Sequence, residues 1–205
     1  ATQELISLGF EIVNQEDFKD NLDTYINFLQ QKLFTKNWPE KNIQEYLDIP
    51  LHFAMTMAAC DDTDVLVAGA DTPSSEVLRT AIRIIGISPS SNWVSSIFFM
   101  IAPGGDRAFT FADCAVIPEP DNKQLAVIAA DSAKFHQLLS GEDPRVAFLS
   151  FSTKGSASHY RVDRVKDAVD IFSRKYPHIV HDGEIQVDAA LIPEIHQIKT
   201  PDSPI

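Results

Sequence analysis

The chain has 205 residues, 44% apolar and 22% charged, enough to bury a hydrophobic core and unlike a disordered polyanion. Lys plus Arg total 17 against 29 Asp plus Glu, a formal net charge of -12 with no basic run, which excludes neutralising a nucleic-acid backbone. The longest apolar stretch, Trp93 to Ala102, is far shorter than the roughly 20 residues a membrane-spanning helix needs. The first residues show no signal pattern, and Cys60 and Cys114 form neither a CxxC pair nor a disulfide framework. Together these features set the expectation of a soluble protein in a reducing, cytoplasmic compartment.

In chain order, residues 1–8 read as helical, Gly9 breaks the pattern, and residues 10–13 read as a short apolar strand. Residues 21–32 place Leu22, Ile26 and Leu29 on one helical face, and Pro39 suits the first turn of a helix over 39–47. A helix rich in Met and Ala follows over 52–59. Residues 65–67, fully apolar and followed by Ala68-Gly69-Ala70, predict a buried parallel strand and its turn. Ser74 or Ser75 is placed to cap the helix over 76–85, which Gly86 ends. The pattern then turns to strand. Residues 93–101 and 107–113, joined by Pro103-Gly104-Gly105-Asp106, predict a hairpin. Helices over 122–139 and 163–175 alternate with strands over 146–150 and 179–187. The expectation is an α/β fold with two subdomains and mostly parallel sheets, 1–90 in the first and 91–205 in the second, the boundary falling between residues 88 and 93.

Three segments carry candidate chemistry. Residues 68–79 combine a tight turn, two hydroxyls, a helix start and Arg79. Free N–H groups and a guanidinium there can converge on an anion, or the segment is an ordinary capped helix with Arg79 in solvent. Ser150-Phe151-Ser152-Thr153-Lys154-Gly155-Ser156 follows a strand at the edge where open α/β sheets bind ligands. It is a phosphate cradle without Walker A spacing, or a surface turn. In residues 181–190, Asp182, Glu184 and Gln186 alternate on one strand face, suited to acid/base work or to a solvated polar edge with Asp188 capping a helix. Neither an EF-hand nor a His-based ligand spacing is present, so no metal is expected. Asp113 beside Cys114 disfavours a thiolate, which makes Cys114 a packing or cleft-wall residue.

Taken together, AGADTPSSEVLR at 68–79, FADCAVIPEP at 111–120, AFLSFSTKGSAS at 147–158, DGEIQVDAALIPEI at 182–195 and the terminal KTPDSPI resemble the phosphate acetyltransferases (phosphotransacetylases). The resemblance implies two α/β subdomains around a cleft, similar to the isocitrate and isopropylmalate dehydrogenases. It also implies transfer of an acetyl group between coenzyme A and inorganic phosphate, with coenzyme A as substrate and no resident cofactor. Arg79 matches a family arginine at the substrate cleft, and Ser74, Ser75, Ser152, Thr153 and Lys154 carry over as anion contacts.

Leu33 stands where family members carry an arginine of an Arg-Lys-x-Lys-Gly segment, with Lys32 beside it and Lys36 matching a later lysine. The family's Ser-Arg pair and its thiol-assisting aspartate fall beyond residue 205, so the chain is expected to be a fragment, inactive alone. By family analogy its partners are acetyl-CoA or CoA, phosphate or acetyl phosphate, and a second copy in a homodimer. A butyryl-transferring enzyme, a degenerate coenzyme A or phosphate binder, and a dehydrogenase of the same fold are the alternatives.

Overall fold

A computed structural model describes residues 6–9, 11, 18–89 and 91–205. The chain divides into two compact units between Ile87 and Ser88.

The first unit is helical: α1 (Lys19–Gln30), a 3-10 turn (Leu33–Thr35), α2 (Glu40–Leu47), α3 (Pro50–Ala59) and α4 (Ser74–Ile84). Pro50 opens α3 at the position where a missing N–H costs nothing. Tyr25, Ile26 and Leu29 of α1 meet Ile43 and Leu47 of α2, Phe53, Met55 and Met57 of α3 and Ile84 of α4 in one buried cluster. Tyr25 packs edge to face on Phe53 at 5.5 Å and donates to Asp62 Oδ2 at 2.5 Å, so its polar end is satisfied while its ring fills the core.

Two expectations for this unit fail. Residues 65–67 form no buried strand: Val65 is 76% and Val67 92% exposed, and no ladder includes them. An apolar β-branched run becomes a buried strand only where a neighbouring strand takes its N–H and C=O groups, and no described residue of this unit does so. Neither Ser74 nor Ser75 caps α4. Pro73 is the N-cap, without a side-chain cap bond, and both serines lie inside the first turn, because the φ of -57° that Pro73 holds starts the helix one step earlier. Of the N-terminal expectations, residues 6–9 close onto Gly9 at φ +89° through a 3.0 Å bond from its N–H to the Ile6 carbonyl. The strand at 10–13 lies, but for Glu11, outside the described residues.

The second unit begins with the hairpin β1 (Ile97–Ile101) and β2 (Ala108–Ala112), antiparallel with Ile97 opposite Ala112. Next come α5 (Asn122–Ser140), β3 (Arg145–Leu149), α6 (Tyr160–Lys175), β4 (Val180–Ile185), α7 (Val187–Leu191) and α8 (Pro193–Lys199). Asp121 and Gln124 form a reciprocal capping box on α5, and Gly141 closes that helix in the left-handed conformation. β3 and β4 pair in parallel across α6, a βαβ unit. The described ladders are therefore one antiparallel and one parallel, an α/β arrangement less dominated by parallel pairing than the sequence suggested, because the hairpin forms a sheet of its own.

Phe148 and Phe172 meet edge to face at 5.3 Å in the core with Ala126, Ala130 and Ala168. β4 carries a bulge: Gly183 lies opposite Phe148 while Leu149 lies opposite Ile185, leaving Glu184 as the extra residue. A Cβ at Gly183 would stand 2.6 Å from the Phe148 Cβ and 2.9 Å from Val169 Cγ2, so the close approach admits only glycine.

Candidate functional site

In the first unit, Arg79 sits four residues after Ser75 on α4, so the two share one helical face. Ser74, Ser75 and Arg79 are all exposed. The N–H groups of Glu76 and Val77 bond back to the Pro73 carbonyl at 2.9 and 3.2 Å, which leaves those of Ser74 and Ser75 without an intrahelical acceptor. Arg79 makes no hydrogen bond or ion pair with a described residue. Residues 68–72 lead in as irregular chain, exposed except for the half-buried Thr72, with Gly69 at φ +103°. Elsewhere in this unit Leu33 is 91% exposed, and Lys32 holds its ammonium over the Phe28 ring at 4.2 Å.

In the second unit, the loop after β3 is tied to β4 residue by residue. Asp182, Glu184 and Gln186 do share a face, and that face holds the loop. Ser152 Oγ donates to Glu184 Oε1 at 3.0 Å, and the Gly155 N–H donates to the same oxygen at 2.6 Å. Thr153 Oγ1 donates to Gln186 Oε1 at 3.2 Å and accepts from the Gln186 N–H at 2.9 Å. Lys154 Nζ pairs with Asp182, and Lys166 Nζ lies 3.8 Å from Glu184 Oε1. Ser152 is fully buried, and Thr153 and Glu184 nearly so. Lys154 and Gly155 adopt φ +47° and +85°, which turns the loop back over the strand; glycine takes such a conformation freely, lysine at a cost.

Burial works to raise the Glu184 carboxyl pKa, but the Gly155 N–H, the Ser152 hydroxyl and Lys166 outweigh it and the net shift is downward. Asp182 is likewise lowered, its burial outweighed by Lys154, Ser203 and the Gly183 N–H. Asp188 does not cap α7, whose N-cap is Gln186; it pairs with Lys199 Nζ at 2.8 Å.

Asp113 organises the turn after β2. Its carboxylate accepts from the N–H groups of Ser96, Ala115, Val116 and Ile117 at 2.7–3.2 Å and from the Ser96 hydroxyl. Burial raises its pKa, yet the Ser96 hydroxyl and these backbone donors leave it lowered. Cys114 is half-buried, its thiol donating to the Phe111 carbonyl at 3.1 Å.

The sequence reading missed Ser96 and Lys166, both far in sequence from the carboxylates they serve. The adjacent Gly183-Glu184 in a strand pattern was a usable signal of the bulge. Among the described residues no three His, Cys, Asp or Glu side chains are grouped to hold a metal ion, and no helix is long and apolar enough to cross a membrane.

A family model described as phosphate acetyl/butaryl transferase matches residues 1–205. The phosphate acetyltransferase of Thermoanaerobacterium thermosaccharolyticum is 39% identical over 190 residues, covering 91% of this chain and 58% of its own. That of Treponema pallidum is 45% identical over 163 residues, 76% of this chain and 48% of its own. Among solved structures, the EutD phosphotransacetylase from Staphylococcus aureus superposes with a TM-score of 0.77 at 33% identity, covering 100% of this chain and 63% of that one. The chain thus spans about half to three-fifths of the length of these relatives.

Proposed function

The chain belongs to the phosphate acetyl/butaryl transferase family, and on that premise we propose that it forms part of an enzyme that moves an acetyl group between coenzyme A and inorganic phosphate. In the direction of thioester formation a base takes the proton of the coenzyme A thiol. The thiolate then attacks the acetyl carbonyl of acetyl phosphate. The tetrahedral oxyanion collapses with the new C–S bond kept, the bond between the acetyl carbon and the bridging oxygen breaks, and phosphate leaves with that oxygen and its electron pair. Such a reaction needs a base at the sulfur, donors for the oxyanion and cations around the phosphate.

The observation that carries the assignment within this chain is the exposed guanidinium of Arg79, without a partner among the described residues, one helical turn from Ser75 and close in sequence to the open N–H groups of Ser74 and Ser75. Its planar fork suits two oxygens of one phosphate, or an anionic part of coenzyme A. Ser152, Thr153 and Lys154 are proposed as further anion contacts on the family resemblance. Each would have to exchange its acceptor on Glu184, Gln186 or Asp182 for the anion, with Lys154 best placed because its side chain is 44% exposed. The same reading includes two subdomains around a cleft in the manner of the isocitrate and isopropylmalate dehydrogenases, a cytoplasmic setting and a homodimer. Coenzyme A acts as substrate rather than resident cofactor.

The test is thioester formation from acetyl phosphate and coenzyme A, by the 205-residue chain and by the chain carried in a polypeptide of its relatives' full length, with butyryl phosphate in parallel. The longer form is expected to be active and to prefer acetyl phosphate, and the shorter to be inactive for want of a base and oxyanion donors. Equal activity in both would place the catalytic groups inside residues 1–205, and no activity in the longer form would overturn the reading.

A further inference from the structure

In the second unit the bonds between the loop after β3 and the polar face at β4 are of two kinds. Glu184 and Gln186 fix the course of the loop: the Lys154 N–H donates to the Glu184 carbonyl at 3.1 Å, and the Gly155 N–H, the Ser152 hydroxyl and the Thr153 hydroxyl reach the two side chains. Asp182 takes no part in that framework. Its carboxylate accepts from the Lys154 ammonium, from the Gly183 N–H at 2.8 Å and from the Ser203 hydroxyl.

Lys154 can therefore swing off Asp182 with the backbone of the loop in place. Asp182 keeps two donors when the lysine leaves, so the swing strands no acceptor. Ser152 has no such freedom, because it is fully buried and its acceptor Glu184 is only 2% exposed. Lys154 also holds φ +47° next to Gly155 at +85°, a backbone region that penalises any residue with a Cβ. The bonds to Glu184 over-determine that turn, and at it the lysine side chain stands 44% exposed beside a carboxylate 15% exposed.

Taking Lys154 as an anion contact of the acyl-transfer site, as proposed above, we infer that Asp182 sets the affinity of that contact: it is a tethered competitor that holds the ammonium whenever no phosphate is bound. A carboxylate fixed by the chain acts at an effective concentration of roughly millimolar or above. An anion that binds Lys154 draws on the fraction of molecules in which the lysine is free, so its apparent dissociation constant is raised by the inverse of that fraction. That factor belongs to the Lys154–Asp182 pair and not to the ligand. Acetyl phosphate and free phosphate are weakened alike, and on release of either the carboxylate recaptures the lysine. Direct repulsion between Asp182 and the anion acts in the same direction but does not require Lys154, so removal of the lysine separates the two effects.

The experiment titrates the 205-residue chain with two dianions, inorganic phosphate at pH 8 and sulfate, at fixed ionic strength, and follows the NMR shifts of Lys154 and Gly155. Asp182→Asn keeps an acceptor for the Gly183 N–H and the Ser203 hydroxyl. It is expected to lower both dissociation constants by one common factor of at least about threefold, with hydrogen exchange at Gly155 and Ala157 unchanged. Asp182→Ser removes the same charge with a different side chain and is expected to give the same factor. In a Lys154→Met background, followed at Gly155, Asp182→Asn is expected to change either constant by less than about twofold. Weaker binding in Asp182→Asn would make Asp182 a positioner of the ammonium and overturn the inference. So would an equal gain in the Lys154→Met background, which reduces Asp182 to general repulsion, or the absence of any phosphate-dependent shift in the parent chain. Thioester formation by the full-length form, measured alongside, tests the acyl-transfer reading separately: its absence with the phosphate response intact removes that reading and leaves the role of Asp182 standing.

Discussion

The two units differ in what their charged groups do. In the helical unit the core is aromatic and aliphatic, Arg79 has no partner among the described residues, and the one ion pair between described residues, Lys41 with Glu45, lies at the surface. In the second unit Lys154, Lys166 and Lys199 are each paired with a carboxylate on or just after β4. A loop rich in hydroxyls, lysine and glycine can look like an anion site in sequence and yet have its donors engaged by the protein's own acceptors, whereas a free guanidinium on a plain helix has no internal competitor for an anion.

The largest expected effects test the two cores. Phe172→Ala in the second unit should cost about 3–5 kcal/mol, and Leu29→Ala in the first about 2–5 kcal/mol, read as urea unfolding midpoints with exchange protection followed separately for residues 18–87 and 88–205. Next is the clamp beneath the loop. Glu184→Ala strands the Gly155 N–H and Ser152 hydroxyl, and about 1.5–3 kcal/mol should be lost, with faster exchange at Gly155 and Ala157. Unchanged exchange there would remove Glu184 as the loop's anchor.

The units should also fail at opposite ends of the pH scale. Burial and the bond to Asp62 push Tyr25 up from 10.0 to about 12. A raised folded value contributes stability that is complete below pH 10 and lost as pH climbs toward 12, so the alkaline loss belongs to the first unit. Asp113, Asp182 and Glu184 are lowered. Their contribution is complete above the ordinary carboxylate range and disappears as pH falls through their folded values, so the acid loss belongs to the second. Exchange protection measured at pH 3, 7 and 11 separates the two, and loss of both units together at either extreme would contradict the assignment. The smallest effect concerns Ser74 and Ser75: as residues within the first turn rather than caps, each should change stability by less than about 0.5 kcal/mol on replacement by Ala, against roughly 1 kcal/mol for a true N-cap.

Legibility followed the range of the forces involved. The longer helices of both units and the hairpin were readable because their periodicity, prolines and glycines act locally, as Gly141 and the Asp121 capping box show, whereas the short helices α7 and α8 were not read. The alternation of Asp182, Glu184 and Gln186 was readable too, but not that the shared face would hold the Ser152 loop, since that depends on a pairing of β3 and β4 across some 30 residues. Residues 65–67 misled because local apolarity cannot say whether a partner strand is there. Arg79 was legible as a candidate by its position after the turn at 68–72, and its freedom from partners became visible only in three dimensions.

The most direct test compares Arg79→Ala and Arg79→Lys with the parent in the full-length enzyme, measuring kcat/KM for acetyl phosphate and for coenzyme A together with the melting temperature. Alanine should lose on the order of 2–3 kcal/mol of transition-state stabilisation and lysine less, because it keeps the charge and loses the fork, with melting unchanged in both. Unchanged kinetics for both substrates in Arg79→Ala, or an activity loss matched by a loss of stability, would contradict the assignment of Arg79 as the anion contact.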